Sequence, residues 1–195
     1  MKSLKDLIDR NLRIRVVGFD DAPFNALSND NVKIAGIICS GTRFEGMLWG
    51  EVEKDGTDAT DVISNLLFKS KFIDQVHLVL LDGLAFGGFN LVNLPELANR
   101  LDRPCVAVMR KRPDLKAVKE ALKSCDGHEE RIDLLAKAGK IYQDGNLHYQ
   151  VSGEDPVVTA KVLSRLSNNG NVPEALRLAH IIGAAVITGQ SSRRA

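Results

Sequence analysis

Apolar and polar positions in this chain follow two periods, and the change from one to the other divides it. Residues 13–19, 32–39 and 46–52 have the alternation or unbroken apolar run of strands. Short links rich in turn formers join them, Asp20-Asp21-Ala22-Pro23 after the first and Ser40-Gly41-Thr42 after the second. Such links predict an antiparallel meander. After the turn Lys54-Asp55-Gly56 the period becomes helical. Ile63, Leu66 and Leu67 fall on one stripe, with Asp58 at the N-cap and Asp61 at the capping-box distance. Residues 76–81 then form a strand whose apolar run, Leu78 to Leu81, suits burial on both faces. A helix over 94–101, with Pro95 near its start, and a short buried strand over 105–109 follow. Strands joined through helices lie parallel and adjacent. The expectation is an α/β fold, a mixed five-stranded sheet of a three-strand antiparallel meander plus two parallel strands, covered by helices.

The C-terminal half reads as helices over 115–124 and 128–138. A small extra hairpin follows, its strands 140–143 and 147–151 flanking Asp144-Gly145-Asn146. Asp155-Pro156 opens a helix to Leu166, the run from Ser167 to Gly170 breaks it, and Asn171 with Glu174 forms a capping box for a last helix ending near Thr188. The whole, 1–195, reads as a single domain, with 1–12 a short leader and 190–195 a frayed tail.

Composition narrows the function classes. An apolar content of 44% and a charged content of 26% are those of a soluble globular domain. A net charge of +1 excludes a strongly basic nucleic-acid coat but not an enzyme with a local basic patch. The three cysteines are widely spaced and match no zinc pattern, which points to a reducing compartment. The N-terminus is amphipathic rather than a signal peptide, and no apolar run, Leu178 to Gly189 included, spans a bilayer. A cytoplasmic protein without a membrane partner is expected.

The candidate chemistry gathers at strand ends. Asp82 closes the 76–81 strand, and Gly83, Gly87 and Gly88 follow it. Asp20 ends the first strand, and if that strand is central and pairs in parallel with 76–81, these carboxylates sit side by side. A third acid from Asp58 or Asp61, or from Glu51 or Glu53 of the third strand, would complete an oxygen site for a hard divalent ion such as Mg²⁺. Two such ions about 4 Å apart serve phosphodiester cleavage. Each acid also has a structural reading: Asp20 and Asp21 as turn formers, Asp58 as an N-cap, Glu51 and Glu53 as solvent-facing strand residues. His180 interrupts an apolar helix, where a lone histidine is usually a satisfied core residue. Arg110, Lys111 and Arg112 follow a buried strand at the same predicted edge and suit a phosphate backbone. The loop from Gly83 to Gly88 lacks the GxGxxG spacing of a dinucleotide site.

Five motifs carry a resemblance: Val17-Gly-Phe-Asp20-Asp, Asp55-Gly-Thr-Asp-Ala-Thr60, Leu81-Asp-Gly-Leu-Ala-Phe-Gly-Gly-Phe-Asn90, Val108-Met-Arg-Lys-Arg-Pro113 and Val172-Pro-Glu-Ala-Leu-Arg-Leu-Ala-His180. The chain resembles the archaeal endonuclease dU family, distant relatives of endonuclease V in the ribonuclease H-like superfamily. That resemblance implies a ribonuclease H-like sheet. It also implies a Mg²⁺- or Mn²⁺-dependent endonuclease acting on damaged or deaminated DNA that contains uracil, with RNA and self-association left open. It assigns metal ligation to Asp20 and Asp82, with a third acid that must be Asp58, Glu51 or Glu53, and Asp58 is taken as that acid. The basic residue after the fifth strand becomes Lys111, or Arg110 one register away. The pattern Pro173, Glu174, Arg177, Ala179, His180 makes His180 metal-proximal. Two departures stand out. Phe44-Glu45-Gly46 lacks the proline and tyrosine of the endonuclease V wedge, and residues 84–89 lack the histidine that follows its Asp-Gly pair. A non-catalytic binding module that keeps the fold and a nucleotide-handling enzyme are the alternatives.

Overall fold

A computed structural model describes residues 2–168 and 172–191. Strands β1 (Arg15–Asp21), β2 (Val32–Ser40) and β3 (Arg43–Val52) form the meander. Helix α2 (Ala59–Phe68) leads to β4 (Leu78–Asp82), and α3 (Leu94–Leu101) to β7 (Cys105–Met109). Between β4 and α3 the glycine-rich stretch folds into a two-residue ribbon, β5 (Ala85–Phe86) with β6 (Asn90–Leu91). Helices α4 (Leu115–Leu122) and α5 (His128–Lys137), strands β8 (Tyr142–Asp144) and β9 (Leu147–Ser152), and helices α6 (Pro156–Leu166) and α7 (Glu174–Thr188) complete the chain after α1 (Leu4–Asp9).

The expected mixed sheet forms, with β1 antiparallel to β2 and parallel to β4, and β4 parallel to β7. Its order is β3-β2-β1-β4-β7-β9-β8. The hairpin read as an extra therefore belongs to the sheet. β9 pairs antiparallel along all of β7, from Cys105↔Ser152 to Met109↔His148, and makes seven strands of the five expected. Pairing covers the backbone groups that β7 would otherwise leave open as an edge. Within the leader, residues 4–9 form α1 with a Ser3 cap and bury Leu4 and Leu7 against the core. Asn171 of the expected capping box and residues 192–195 of the expected tail lie outside the described residues; Pro173 stands at the N-cap of α7.

The pleat divides the core into two layers. Val17, Phe19, Val79, Leu81, Cys105 and Ala107 face α2 and α3, while Val16, Leu78, Leu80, Val106 and Val108 face α6 and α7. Successive side chains of a strand point to opposite faces. Even-numbered residues of β1, β4 and β7 therefore share one face, and this parity sorts the polar residues at the strand ends.

Candidate active site

Parity carries Asp20, Asp82 and Arg110 to the α7 side of the sheet edge. The register Phe19↔Leu81 sets Asp20 beside Asp82, and Asp82↔Val108 sets Arg110 one pleat beyond. Arg110 Nη2 lies 3.2 Å from Asp82 Oδ2. Gly83 closes β4 at φ +86, where its N–H reaches both Leu81 O (3.0 Å) and Val108 O (2.9 Å). A residue with a Cβ is strained in that conformation.

Helix α7 brings in the histidine. Its buried face is built of small residues, Ala175, Ala179 and Gly183 among them, and it settles directly on β1 because position 18 has no side chain. A Cβ on Gly18 would stand 2.8 Å from the Ala175 carbonyl carbon, and one on Gly183 would stand 3.4 Å from Ala22 Cα. At this close approach His180 Nδ1 lies 3.0 Å from Asp20 Oδ2. One ligand atom from each of Asp20, Asp82 and His180 falls within 4.8 Å of the others, the one such group of three among the described residues. Glu174 and Arg177 of the same helix hold each other through two hydrogen bonds at 2.8 and 2.6 Å.

The three residues open into a cleft of about 510 Å³, lined also by Asp21, Ala22, Pro23, Phe24 and Arg110. Beside it the β1–β2 loop carries Phe24 in the cleft wall and Leu27 at 94% exposure, held from below by Lys54 Nζ on Ser28 O at 2.7 Å. A second cleft of about 340 Å³ among α2, α3 and α5 contains Asp61, Glu96 and Arg100, which pair with one another. Those groups are already satisfied, which directs attention to the first cleft.

Electrostatics set the strand-end carboxylates apart. Burial, then the nearby charges of Asp82 and Asp21, push the Asp20 carboxyl up to about 8 against a partial offset from Arg110. Burial also raises Asp82, opposed by Arg110 and His180, and raises Asp21, opposed by the Gly87 N–H that it accepts at 2.7 Å. Desolvation and like charge both disfavour ionised carboxylates. A cation placed among them relieves both.

The other expected site residues lie elsewhere. Asp58 is not in the close group of Asp20, Asp82 and His180; it precedes α2, which packs on the other face of the sheet from α7. Its Oδ1 accepts from Asn90 Nδ2 (2.6 Å) and Glu53 N (3.1 Å). It does not cap α2 with its side chain either; Asn90 Oδ1 takes the Ala59 N–H at 3.0 Å instead. Asp61 pairs with Arg100 and Glu51 with Lys33, both exposed, and Glu53 is exposed beyond β3. Lys111 is exposed and has the wrong parity, so Arg110 meets the acids. Asp21 in the cleft wall was missed as a site residue, because a turn-forming role next to Pro23 accounts for it locally. The even-numbered series Val106, Val108, Arg110 was the signal that could have selected Arg110 over Lys111.

With this geometry in hand, comparison with known proteins is informative. A sequence profile of the family described as endonuclease dU matches residues 12–187. The UPF0215 protein of Pyrococcus horikoshii is 40% identical over 185 residues, covering 92% of this chain and 95% of the relative. That of Methanosarcina barkeri is 38% identical over 187 residues, covering 93% and 95%. The crystal structure of a protein of unknown function from Archaeoglobus fulgidus superposes with a TM-score of 0.85 at 32% identity, over 90% of this chain and 99% of that one. Endonuclease V from Bacillus subtilis shares the fold with a TM-score of 0.59 at 11% identity, over 97% and 94% of the two chains. Profile, homologues and fold agree, and the chain belongs to the endonuclease dU family, with the fold of endonuclease V.

Proposed function

We propose that this protein is a divalent-metal-dependent endonuclease that hydrolyses a phosphodiester bond at the Asp20–Asp82–His180 cleft. The observation that carries the reading is the convergence of those three side chains, within 4.8 Å and beside Arg110, at the end of two parallel strands. The donor set fits the metal. Carboxylate oxygens suit Mg²⁺ and Mn²⁺, and an imidazole nitrogen is tolerated by the latter. Asp20 and Asp82 would hold the ion, with His180 beside it; in this reading Asp58 belongs to the framework. When bound, such an ion supplies Lewis-acid polarisation of a phosphoryl oxygen and a more acidic water.

The chain's own residues supply the rest. Arg110 offers guanidinium N–H groups to a phosphate oxygen while its contact with Asp82 keeps it at the cleft. Asp20 orients His180 through Nδ1, and Nε2 has no hydrogen-bond partner among the described residues, which leaves it available to a phosphate or leaving oxygen. Phe24 presents a ring in the cleft wall, a surface on which a base can stack. A structural relative, the Ciona intestinalis endonuclease V, was solved with DNA containing an inosine, and the family described as endonuclease dU suggests deoxyuridine. Deaminated bases in DNA are therefore the substrates to try first.

The test uses purified protein with Mn²⁺ or Mg²⁺ and oligonucleotides carrying uracil, inosine, an abasic site or no lesion, in DNA and RNA. Cleavage is expected with metal and is expected to fall by more than about 100-fold in Asp82→Asn, beyond the loss typical of outer-shell changes. Tight Mn²⁺ binding without cleavage of any of these substrates would reject the nuclease reading. Equal cleavage by the variant would reject the site.

A further inference from the structure

The chain leaves the cleft at Arg110 and enters a segment that the proposed chemistry does not use. Residues 111–123 carry five basic side chains against two acidic ones, a net +3 in a chain whose total is +1. Lys116, Lys119 and Lys123 recur at helical spacing and share one face of α4. Lys111 and Arg112, both exposed, stand in the chain between Arg110 and that helix. Of the eight residues of α4 only Leu122 is buried, so the core does not account for the helix's outer surface. The helix is held locally instead, by Asp114, which accepts from Lys116 N (3.0 Å) and Ala117 N (3.1 Å). Lys123 pairs with Glu120 at 2.7 Å. Lys111, Arg112, Lys116 and Lys119 have no acidic partner within ion-pair distance among the described residues. Such cations repel one another, and a polyanion converts that repulsion into attraction. Eight helical residues span about 12 Å, which matches three to four phosphates of one strand at about 3.4 Å each.

We propose that the ridge formed by Lys111, Arg112 and the lysine face of α4 binds the sugar-phosphate backbone of a polynucleotide that runs out of the Asp20–Asp82–His180 cleft. The inference rests on the nuclease reading for its register with the cleft. The backbone contact itself is tested without cleavage.

The measurement is the affinity of the full chain in EDTA for labelled single-stranded DNA, duplex DNA and duplex RNA across a salt series. The variant is Lys116→Gln/Lys119→Gln/Lys123→Gln, compared with Lys5→Gln/Lys69→Gln/Lys161→Gln, which removes the same charge from exposed positions on other helices. Each lost phosphate contact lowers the salt slope by about 1. The ridge variant is expected to lose a slope of about 2 to 3 and about tenfold or more in affinity, with unchanged thermal stability, while the control changes little. Restoring the charge as Lys116→Arg/Lys119→Arg/Lys123→Arg is expected to restore binding. Equal losses in ridge and control variants, or none in either, would overturn the proposal, as would absence of polynucleotide binding at low salt. Stronger binding to phosphatidylserine vesicles than to any nucleic acid, lost in the ridge variant, would reassign the ridge to a membrane surface. Wild-type cleavage with Mn²⁺ is scored separately, so a failed ridge and a failed nuclease give different results.

Discussion

Two polar clusters sit on opposite faces of the same sheet, and they differ in how far their groups are satisfied. On the α2 side, buried Arg131 donates to the carbonyls of Phe89 (3.0 Å) and Gly56 (3.0 Å) and to those of Asp55 and Asp126. Fully buried Asn90 caps α2 and donates to Glu53 O and Asp58 Oδ1. Asp55 receives Phe89 N at 2.8 Å and returns its own N–H to Gly87 O at 2.9 Å. That network ties the glycine-rich ribbon to the start of α2. On the α7 side, Asp20 and Asp82 are crowded, desolvated and raised in pKa, with one arginine and one histidine to balance them, while Asp21, also raised, accepts from Gly87 N–H at the strand end between the two clusters. Satisfied polar groups hold a fold in one arrangement, whereas carboxylates left short of compensation are poised for an ion or a proton. The difference separates a framework from the proposed site although both are rich in aspartate.

The sharpest way to break the comparison is to damage each cluster and read both stability and metal binding. Arg131→Met leaves several carbonyls without a charged donor and is expected to cost about 3 kcal/mol of unfolding free energy, with Mn²⁺ affinity per folded molecule unchanged by calorimetry. A matched loss of metal binding would mean that the two clusters are one. Gly18→Ala inserts a methyl where α7 touches β1 and is expected to cost about 1–3 kcal/mol. It should also weaken Mn²⁺ binding by separating His180 from Asp20; an unchanged Mn²⁺ affinity would show that α7 need not lie so close.

The pH dependence has a distinctive sign. An Asp20 carboxyl held near 8, against 3.8 when unfolded, keeps its proton longer in the native state. Native stability therefore falls as pH rises through that window and levels off above 8, by at most about 1.4 kcal/mol per pH unit for one proton. Asp20→Asn should remove that fall and be more stable than wild type at pH 8, with near equality at pH 4, in denaturant titrations. The same proton competes with metal, so Mn²⁺ affinity of the wild type should rise by up to about tenfold per pH unit towards pH 8. A stability that is flat from pH 4 to 8 in both proteins would show that the site is not strained in the absence of metal.

The meander, the α2–β4 and α3–β7 units and the acids at 20 and 82 were legible because periodicity and crossover geometry act locally. Setting Asp20 beside Asp82 required β1 to be the central strand, which chain order alone does not fix because α2 joins β3 to β4; the sheet order β3-β2-β1-β4 supplies it. Asp58 shows the limit. A capping residue and a metal ligand look alike in one dimension, and the structure gives it a third role, accepting from Asn90 across 32 positions of chain. The hairpin at 142–152 could be read as a hairpin, but not as an extension of the sheet, because nothing in its own residues names β7 as partner.

The sequence by itself determined the order and type of elements, the alternation that divides the sheet into two faces, and hence the parity shared by Asp20, Asp82 and Arg110. Those are short-range properties, dictated by backbone geometry and by which side chains avoid water. Only the tertiary structure decided that α7 lies close enough to β1, over Gly18, for His180 to meet Asp20, and that Asp58 turns to Asn90 and the Glu53 N–H instead. Such relations depend on how two distant surfaces fit, and a missing Cβ at one position records that fit only once its neighbour is known.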